Sequence, residues 1–343
     1  MSTRNSIADL LKGIAVIGMI QVHIIELFAT HEISNSHTGK LLMFLGGPPV
    51  APVYMILLGY FICQSNKTSK QLLIRGLKLF ALGMMLNLAL NCNLTIHVLN
   101  GSLQVDILPY IFGVDILHFA GLATIVIALL KKNIEKNAFV TVALIIFSAL
   151  TGSYLTSLTT NNFAQYLSTY FYGSAWWSYF PLFPWLTYPL TGILFYQFQQ
   201  KFEIQKIQNG TIRVFGFIVF LFFLASTFIY AARVSTNLQA YYHHNFLFSL
   251  WTIIFISFYS YFVNEINKIA GHSFLMKYLK WLGKNVTVIY VIQWILIGNT
   301  ATSVYKTVSS PMYLALSFVA VLLASSLLCL AYLKIKNKLL TSS

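Results

Sequence analysis

Residues 7–28 read IADLLKGIAVIGMIQVHIIELF, an apolar run long enough to cross a membrane that nevertheless carries four ionisable side chains. At 100° per residue, these side chains fall within an arc of about 100°, so they form one polar stripe along an otherwise apolar helix. They are Asp9, Lys12, His23 and Glu26. Because ionisable residues are rare in membrane helices and usually functional, the stretch predicts a membrane protein built around this helix. The plainer alternative is that His23 only hydrogen-bonds a neighbouring helix.

The composition of the whole chain indicates the same class of protein. Hydrophobic residues make up 57% of the 343 residues and charged residues only 9%, which is too apolar for a water-soluble globular domain. The net charge of +14 does not indicate nucleic acid, because Lys and Arg are scattered between apolar segments and form no single basic face. Cys63, Cys92 and Cys329 are far apart, so we expect neither a disulfide framework nor a metal site.

Apolar segments predict an all-α polytopic fold with about ten transmembrane helices in one integral-membrane domain, residues 1–343. The predicted spans are 7–29, 41–63, 72–91, 108–130, 138–156, 179–198, 212–231, 246–263, 280–298 and 311–333. If the N-terminus is cytoplasmic, all but three of the 22 Lys and Arg residues lie on the cytoplasmic side; the three are Lys40, Arg233 and Lys306. This asymmetry predicts that both termini are cytoplasmic in a multi-pass protein of the cell membrane.

Two predicted spans, 41–63 and 179–198, contain three prolines each. They are Pro48, Pro49 and Pro52 in the first and Pro181, Pro184 and Pro189 in the second. Proline lacks an amide hydrogen and clashes with the preceding turn, so we expect both spans to be broken. Irregular backbone at membrane depth is tolerated where protein or a watery cavity satisfies it, so these segments are expected to line a cavity; a purely structural kink is the alternative.

Several residues are candidates for binding and proton transfer. Lys12, Arg75, Lys78 and Lys284, with Lys280 nearby, lie at the predicted cytoplasmic ends of their spans, where they could hold phosphates or serve only as topology signals. His23 lies about 16 Å from Lys12 along the first helix and is a candidate general base. Asp115 lies about seven residues into the fourth span, with His118 one turn further, and a carboxylate would make that imidazole more basic. A structural Asp–His pair within one helix is the alternative.

The predicted outer loops are rich in rings and polar side chains that could bind an acceptor with hydroxyl groups. These include His31, Glu32, His37, His97, Asp106, Tyr241, Tyr242, His243 and His244, together with the aromatic stretch 166–180. An aromatic belt at the membrane interface is the alternative interpretation of that stretch.

Six blocks of the chain carry a resemblance to known proteins. DLLKG at 9–13, with a His ten residues after its Gly, resembles the D-x-x-R-G…H signature of the integral-membrane acyltransferase superfamily, which includes O-acetyltransferases of bacterial surface polysaccharides and the heparan-α-glucosaminide N-acetyltransferases. APVYMILLGYF (51–61), LLIRGLKLF (72–80), VDILHFAGLA (114–123) and FPLFPWLTYPLTG (180–192) resemble successive blocks of bacterial heparan-α-glucosaminide N-acetyltransferase-like proteins. LGKNVTVIYVIQW (282–294) is similar to the superfamily's late L-G-x-x-S…Y-L-x-H-W block.

The sequence departs from that pattern at two positions: Lys12 stands where the superfamily has Arg, and Gln293 stands where its late block has His. In the human lysosomal relatives, the position matching His23 looks like an Asn, and a His in the first lumenal loop is held to be catalytic. The resemblance therefore leaves His31 and His37 as alternative bases.

What the resemblance implies is transfer of an acetyl or other acyl group from cytoplasmic acyl-CoA, with acetyl-CoA as co-substrate, to a hydroxyl or amine. The acceptor would be a carbohydrate or glycolipid on the outer side of a bacterial cytoplasmic membrane, with membrane lipid around the protein. Under this hypothesis His23, Asp115 and His118 are catalytic, and Lys12, Arg75, Lys78 and Lys284 bind CoA. A carrier or channel without acyl transfer, and a catalytically inactive scaffold, are the alternatives.

Overall fold

The computed structural model describes residues 6–155, 163–173, 175–201 and 210–341. Within these ranges the chain is all-α, and its one β-bridge joins Ala29 to Val308. The helices are α1 (Ser6–Phe28), α2 (His31–Asn35), α3 (His37–Gly46), α4 (Ala51–Gln64), α5 (Ser69–Leu90), α6 (Cys92–Leu99), α7 (Leu108–Ile111), α8 (Ile116–Lys136), α9 (Ala138–Tyr154), α10 (Phe163–Ser168), α11 (Leu182–Trp185), α12 (Thr187–Lys201), α13 (Gly210–Ser235), α14 (Leu238–Tyr242), α15 (Phe246–Ala270), α16 (Phe274–Lys284), α17 (Val286–Val304) and α18 (Pro311–Thr341).

Eight stretches of the described residues, one of which consists of the successive helices α3 and α4, are long and apolar enough to cross a membrane, which confirms an all-α polytopic fold. They are Ser6–Phe28, His37–Gln64, Ser69–Leu90, Ile116–Glu135, Val214–Ser235, Phe246–Ala270, Val286–Val304 and Pro311–Leu340. The other two predicted spans correspond to α9, with 17 residues, and α12, with 15 residues. The predicted count of ten and the cytoplasmic location of the termini stay predictions.

Both proline-rich spans are broken, as expected. In the first, α3 ends at Gly46 and α4 begins at Ala51, so Pro48 and Pro49 lie in the interruption. In the second, Pro181 precedes the single turn of α11, and Phe183 has non-helical backbone angles of φ −105° and ψ 127°. Proline therefore terminates these helices through its missing amide hydrogen and its fixed ring.

Two predicted boundaries are wrong. The fourth span was expected at 108–130, but its helix α8 begins only at Ile116, because the side chain of Asp115 caps it. The ninth was expected at 280–298, but the chain divides there into α16 and α17 at Asn285, whose backbone has left helical geometry. Lys280 and Lys284 thus belong to α16, a separate helix that ends before the membrane-spanning helix begins.

The described helices cluster into two compact units. The first comprises Met1–Val50, Leu86–Ile107 and Val263–Ser343, and the second comprises Ala51–Met85 and Leu108–Phe262. Each unit is assembled from separate parts of the chain. The predicted single domain over residues 1–343 stays a prediction.

The first unit is built around α1, which packs against α3, α16, α17 and α18. The crossing of α1 with α16 depends on two glycines that let the backbones touch. A Cβ on Gly13 would lie 1.8 Å from the carbonyl oxygen of Leu279, and a Cβ on Gly283 would lie 1.8 Å from that of Asp9. Small residues allow this close approach between membrane helices, so these glycines fix how α16 lies on the first helix.

In the second unit, α4 and α12 also make a close contact that depends on two glycines. A Cβ on Gly59 would lie 1.8 Å from the carbonyl oxygen of Pro189, and a Cβ on Gly192 would lie 1.8 Å from that of Ile56. The aromatic side chains of Trp185 and Tyr188 fill the interior beside this crossing and are fully buried. The LLGYF and YPLTG blocks of the sequence are therefore the two faces of one tight helix contact.

Candidate functional site

His23 lies on α1, half-buried, and is held by two consecutive residues of α17. Its Nδ1 lies 3.2 Å from the Oε1 atom of Gln293, whose side chain is completely buried. The ring of Trp294 lies over the imidazole, with 4.0 Å between ring centroids and a tilt of 32°. The two contacts fix both the position and the plane of the imidazole.

The contact with Gln293 also defines the protonation of the neutral imidazole. An amide oxygen only accepts hydrogen bonds, so Nδ1–H of His23 donates to Oε1 and the lone pair lies on Nε2. Gln293 is the one hydrogen-bond partner that the described residues give the His23 ring, and it contacts Nδ1. A neutral imidazole with one nitrogen anchored and the other free to accept has the arrangement that a general base requires.

The C-terminal end of α1 is joined to the loop after α17. Backbone N–H groups of Lys306 and Val308 donate to the carbonyls of Leu27 and Phe28, both at 2.9 Å, and so satisfy the open end of the helix. Lys306 adopts a left-handed φ of 58° at this turn. Burial lowers the pKa of its ammonium group, while the attraction of Glu26 opposes that shift. The loop therefore supplies a cation to the carboxylate that lies one turn beyond His23.

The N-terminal part of the polar stripe lies at the crossing of α1 and α16. Asp9 is 3% exposed, and its Oδ1 lies 3.3 Å from Nζ of Lys12, so the two charges form a partly buried ion pair. Gly283 rests on the backbone of Asp9, and the exposed Lys284 follows it directly. The fold thus brings Lys12 and Lys284 to one helix crossing, where the early and late sequence blocks meet.

Lys280 lies on the same α16, and its Nζ donates to the carbonyl oxygen of Gly271 at 3.3 Å. Arg75 and Lys78 belong to the second unit, on α5, where Arg75 is half-buried and Lys78 is exposed. They are three residues apart and share a helix face, as the sequence indicates. Their predicted role in binding CoA stays a prediction.

Asp115 and His118 form a helix cap. The carboxylate of Asp115 accepts from the backbone N–H of Leu117 at 2.8 Å, and the backbone N–H of Asp115 donates to Nδ1 of His118 at 3.2 Å. These two bonds form a reciprocal capping box at the start of α8. This arrangement corresponds to the alternative in which Asp115 and His118 form a structural pair within one helix. The hydrogen of the neutral imidazole therefore lies on Nε2.

His118 is completely buried inside the second unit. Its side chain is 0% exposed, its ring contacts the rings of Phe80 and Tyr170, and a Cβ on Gly83 would lie only 2.9 Å from it. Nε2 of His118 has no hydrogen-bond partner within the described residues. A reactant reaches this nitrogen only if the helices around it open.

The two alternative histidines are exposed. His31 is the first residue of α2 and His37 is the first residue of α3, with Ser36 between them accepting from the backbone N–H of Gly39 at 3.0 Å. Both imidazoles lie on the surface of a short helix after α1, so they are accessible but not anchored in the way that His23 is.

Part of the expected outer aromatic surface is instead interior. His244 is buried, with Nδ1 2.7 Å from the carbonyl oxygen of Tyr241 and Nε2 2.9 Å from the hydroxyl of Tyr188. The indole N–H of Trp185 donates to the carbonyl oxygen of Tyr242 at 2.8 Å. Burial lowers the pKa of His244 to about 4. This cluster holds the loop around α14 against the second unit, because hydrogen-bonded rings pack inward.

Three functional candidates were missed or left without a role by the sequence. The sequence shows Gln293 only as a departure from the late block, and it indicates no role for Trp294 near His23 or for Lys306 near Glu26. The only sequence signal was the position of Gln-Trp in a late apolar span of the superfamily pattern. The proximity of Gln293 and Trp294 to His23 depends on packing between segments some 270 residues apart.

These observations define a polytopic α-helical membrane protein with an anchored imidazole in its first helix. The family model for the heparan-alpha-glucosaminide N-acetyltransferase catalytic domain matches residues 4–233. The chain therefore belongs to this family of membrane acetyltransferases that act on glycan-type acceptors, and the resemblance of the five sequence blocks within residues 4–233 is confirmed. Neither the curated proteins nor the solved structures gave a match. Gly283, Lys284, Gln293 and Trp294 lie beyond the matched residues.

Proposed function

We propose that this chain transfers an acetyl group from cytoplasmic acetyl-CoA to a hydroxyl or amine of a carbohydrate or glycolipid acceptor on the opposite side of the membrane. The observation that carries the proposal is the anchoring of His23 by Gln293, at 3.2 Å, which leaves Nε2 able to accept a proton. Family membership supplies the transferred group and the glycan-type acceptor.

In the proposed step, the acceptor oxygen or nitrogen attacks the thioester carbonyl carbon while Nε2 of His23 removes its proton. The new carbon–oxygen or carbon–nitrogen bond forms, the carbon–sulfur bond breaks, and CoA leaves as a thiolate. The proton held on His23 then passes to the thiolate, which restores the neutral imidazole. A positioned base contributes about 10²–10⁴-fold to such a reaction.

The donor would bind at the other end of the stripe. Lys12 and Lys284 lie at the crossing of α1 and α16, and the rise of α1 puts Lys12 about 16 Å from His23. We propose Lys12 and Lys284 as phosphate contacts of CoA in the first unit, and Arg75 and Lys78, taken by themselves, as phosphate contacts in the second unit. Phosphate attracts both side chains, and Arg adds a bidentate fork.

The test uses proteoliposomes loaded with acetyl-CoA and a glucosamine-containing acceptor outside. We expect His23→Ala to lose about 10²–10⁴-fold in transfer rate. His272→Ala is the matched control, since His272 is an exposed histidine in the turn between α15 and α16. Absence of transfer by the parent protein would contradict the proposed function. Full activity of His23→Ala would exclude His23 as the base.

The alternative bases are tested in the same assay. If His31→Ala or His37→Ala is inactive while His23→Ala is active, the base lies in the segment after α1. The proposed acyl-transfer function is then retained with a different base. Inactivity of His118→Gln alone would assign the base to the second unit. Asp115→Asn separates capping from proton transfer, because the amide oxygen still caps α8.

A further inference from the structure

The residues that hold His23 also contain two N–H groups without partners. Nε2 of Gln293 and Nε1 of Trp294 are buried and make no hydrogen bond to any part of the chain that the structure describes. Buried donors are nearly always paired, so two unpaired donors in consecutive residues beside one imidazole need an explanation. The oxygen of the same Gln293 amide is already used by His23.

Acyl transfer needs donors of this kind. Attack on a thioester carbonyl puts negative charge on the carbonyl oxygen, and donors fixed in advance around that oxygen stabilise the transition state. N–H groups that are already paired elsewhere serve poorly, since a bond must break before they can help. Unpaired donors next to the base have the chemistry required.

We propose that Nε2–H of Gln293 and Nε1–H of Trp294 form the oxyanion site of this enzyme. The inference rests on the proposed function, because it requires a thioester attacked beside His23. One amide then has two tasks: its oxygen orients the imidazole, and its nitrogen donates to the developing oxyanion.

The geometry defines how the substrate enters. Trp294 lies over His23 with 4.0 Å between ring centroids, and both donor nitrogens are sealed from water. Because both nitrogens are buried, side chains around them must move before the thioester carbonyl can reach them. Donors kept out of water interact more strongly with a new charge than hydrated ones.

Conservative substitutions can remove the two N–H donors while keeping the side-chain packing around His23. Trp294→Phe keeps a ring against His23 but removes the N–H, and Gln293→Glu keeps an acceptor for Nδ1–H but removes the amide donor. Trp251→Phe is the control, because that indole donates to Thr227 in the other unit. We expect the first two variants to lose about 10²-fold in kcat, the loss typical for one oxyanion donor, and the control to stay near the parent rate.

The pH profile and the donor affinity distinguish an oxyanion role from a positioning role. Trp294→Phe should lower kcat equally at every pH and leave the Kd for acetyl-CoA unchanged. A change in the shape of the profile would overturn the proposal in favour of a ring that only positions His23.

Kcat within two-fold of the parent in both Trp294→Phe and Gln293→Glu would also overturn it. If the parent itself transfers acetyl groups and His23→Ala does not, that result rejects the oxyanion site alone. If the parent shows no transfer, the proposed function has failed instead.

Discussion

The substitution Gly283→Ala tests how the donor end of the proposed site is held. Its new Cβ would lie 1.8 Å from the carbonyl oxygen of Asp9 and 2.9 Å from the backbone nitrogen of Gly13. An ordinary contact begins near 3.4 Å, so the two helices must separate by about 1.6 Å. Since the atoms in the way belong to backbone, no flexible side chain can give way. We expect a loss of about 1–3 kcal/mol in the free energy of unfolding, the usual cost of overpacking.

The assay is thermal unfolding in detergent, beside calorimetry with acetyl-CoA. Gly216→Ala is the matched control: it is also a membrane-helix glycine, but a Cβ there meets nothing within 4 Å. Alanine is the better helix former by about 0.8–1 kcal/mol, so this control should raise Tm while Gly283→Ala lowers it. A Tm for Gly283→Ala at or above that of the parent would refute the argument that the crossing is backbone-limited.

Three further outcomes are expected. Burial lowers the pKa of His244 to about 4 from 6.5. Between about pH 6.5 and pH 4, this histidine is therefore protonated in the unfolded chain but neutral in the folded chain. Stability should be full above pH 6.5 and fall by up to about 1.4 kcal/mol per pH unit between these values, and His244→Gln should reduce the difference in Tm between pH 7 and pH 5. Arg75→Lys should weaken CoA binding in calorimetry more than Lys12→Arg does, because Lys lacks the bidentate fork; the reverse order would leave Arg75 as a topology signal. Acetyl-CoA at 100 times its Kd should stabilise the protein by about 2.7 kcal/mol in the same thermal assay, and stabilisation by acetate or sugars alone would favour a carrier.

The fold class and the family could be predicted because their signals are local. Runs of apolar residues define membrane helices without knowledge of their neighbours, and Pro48 or Pro181 breaks a helix wherever it packs. His23 can be predicted as a candidate for the same reason, since a charged stripe in an apolar helix is visible in the sequence alone. The short blocks around Gly13 and Gly192 carry the family pattern because tight crossings need glycine.

What the sequence missed depends on distant packing or on competing local bonds. Asp115 was expected inside a span, but its carboxylate binds the backbone and begins the helix. His244 was expected on an outer surface, but the hydroxyl of Tyr188 pairs with it in the interior. Gln293 meets His23 only after α17 has packed on α1, and no spacing rule connects residues 270 positions apart.

The packing of α1 makes the two ends of the proposed site separable by experiment. Lys12 and His23 share one helix, so their separation of about 16 Å is fixed by its rise. Their partners come from different helices: α16 crosses at the Lys12 end, and α17 holds His23 through Gln293. Gly283→Ala displaces α16 and should weaken acetyl-CoA binding while kcat at saturating donor is kept. A loss of kcat with unchanged affinity for acetyl-CoA would mean that the displacement of α16 is transmitted through Asn285 to α17. The Lys12 end and the His23 end of the proposed site would then not be separable.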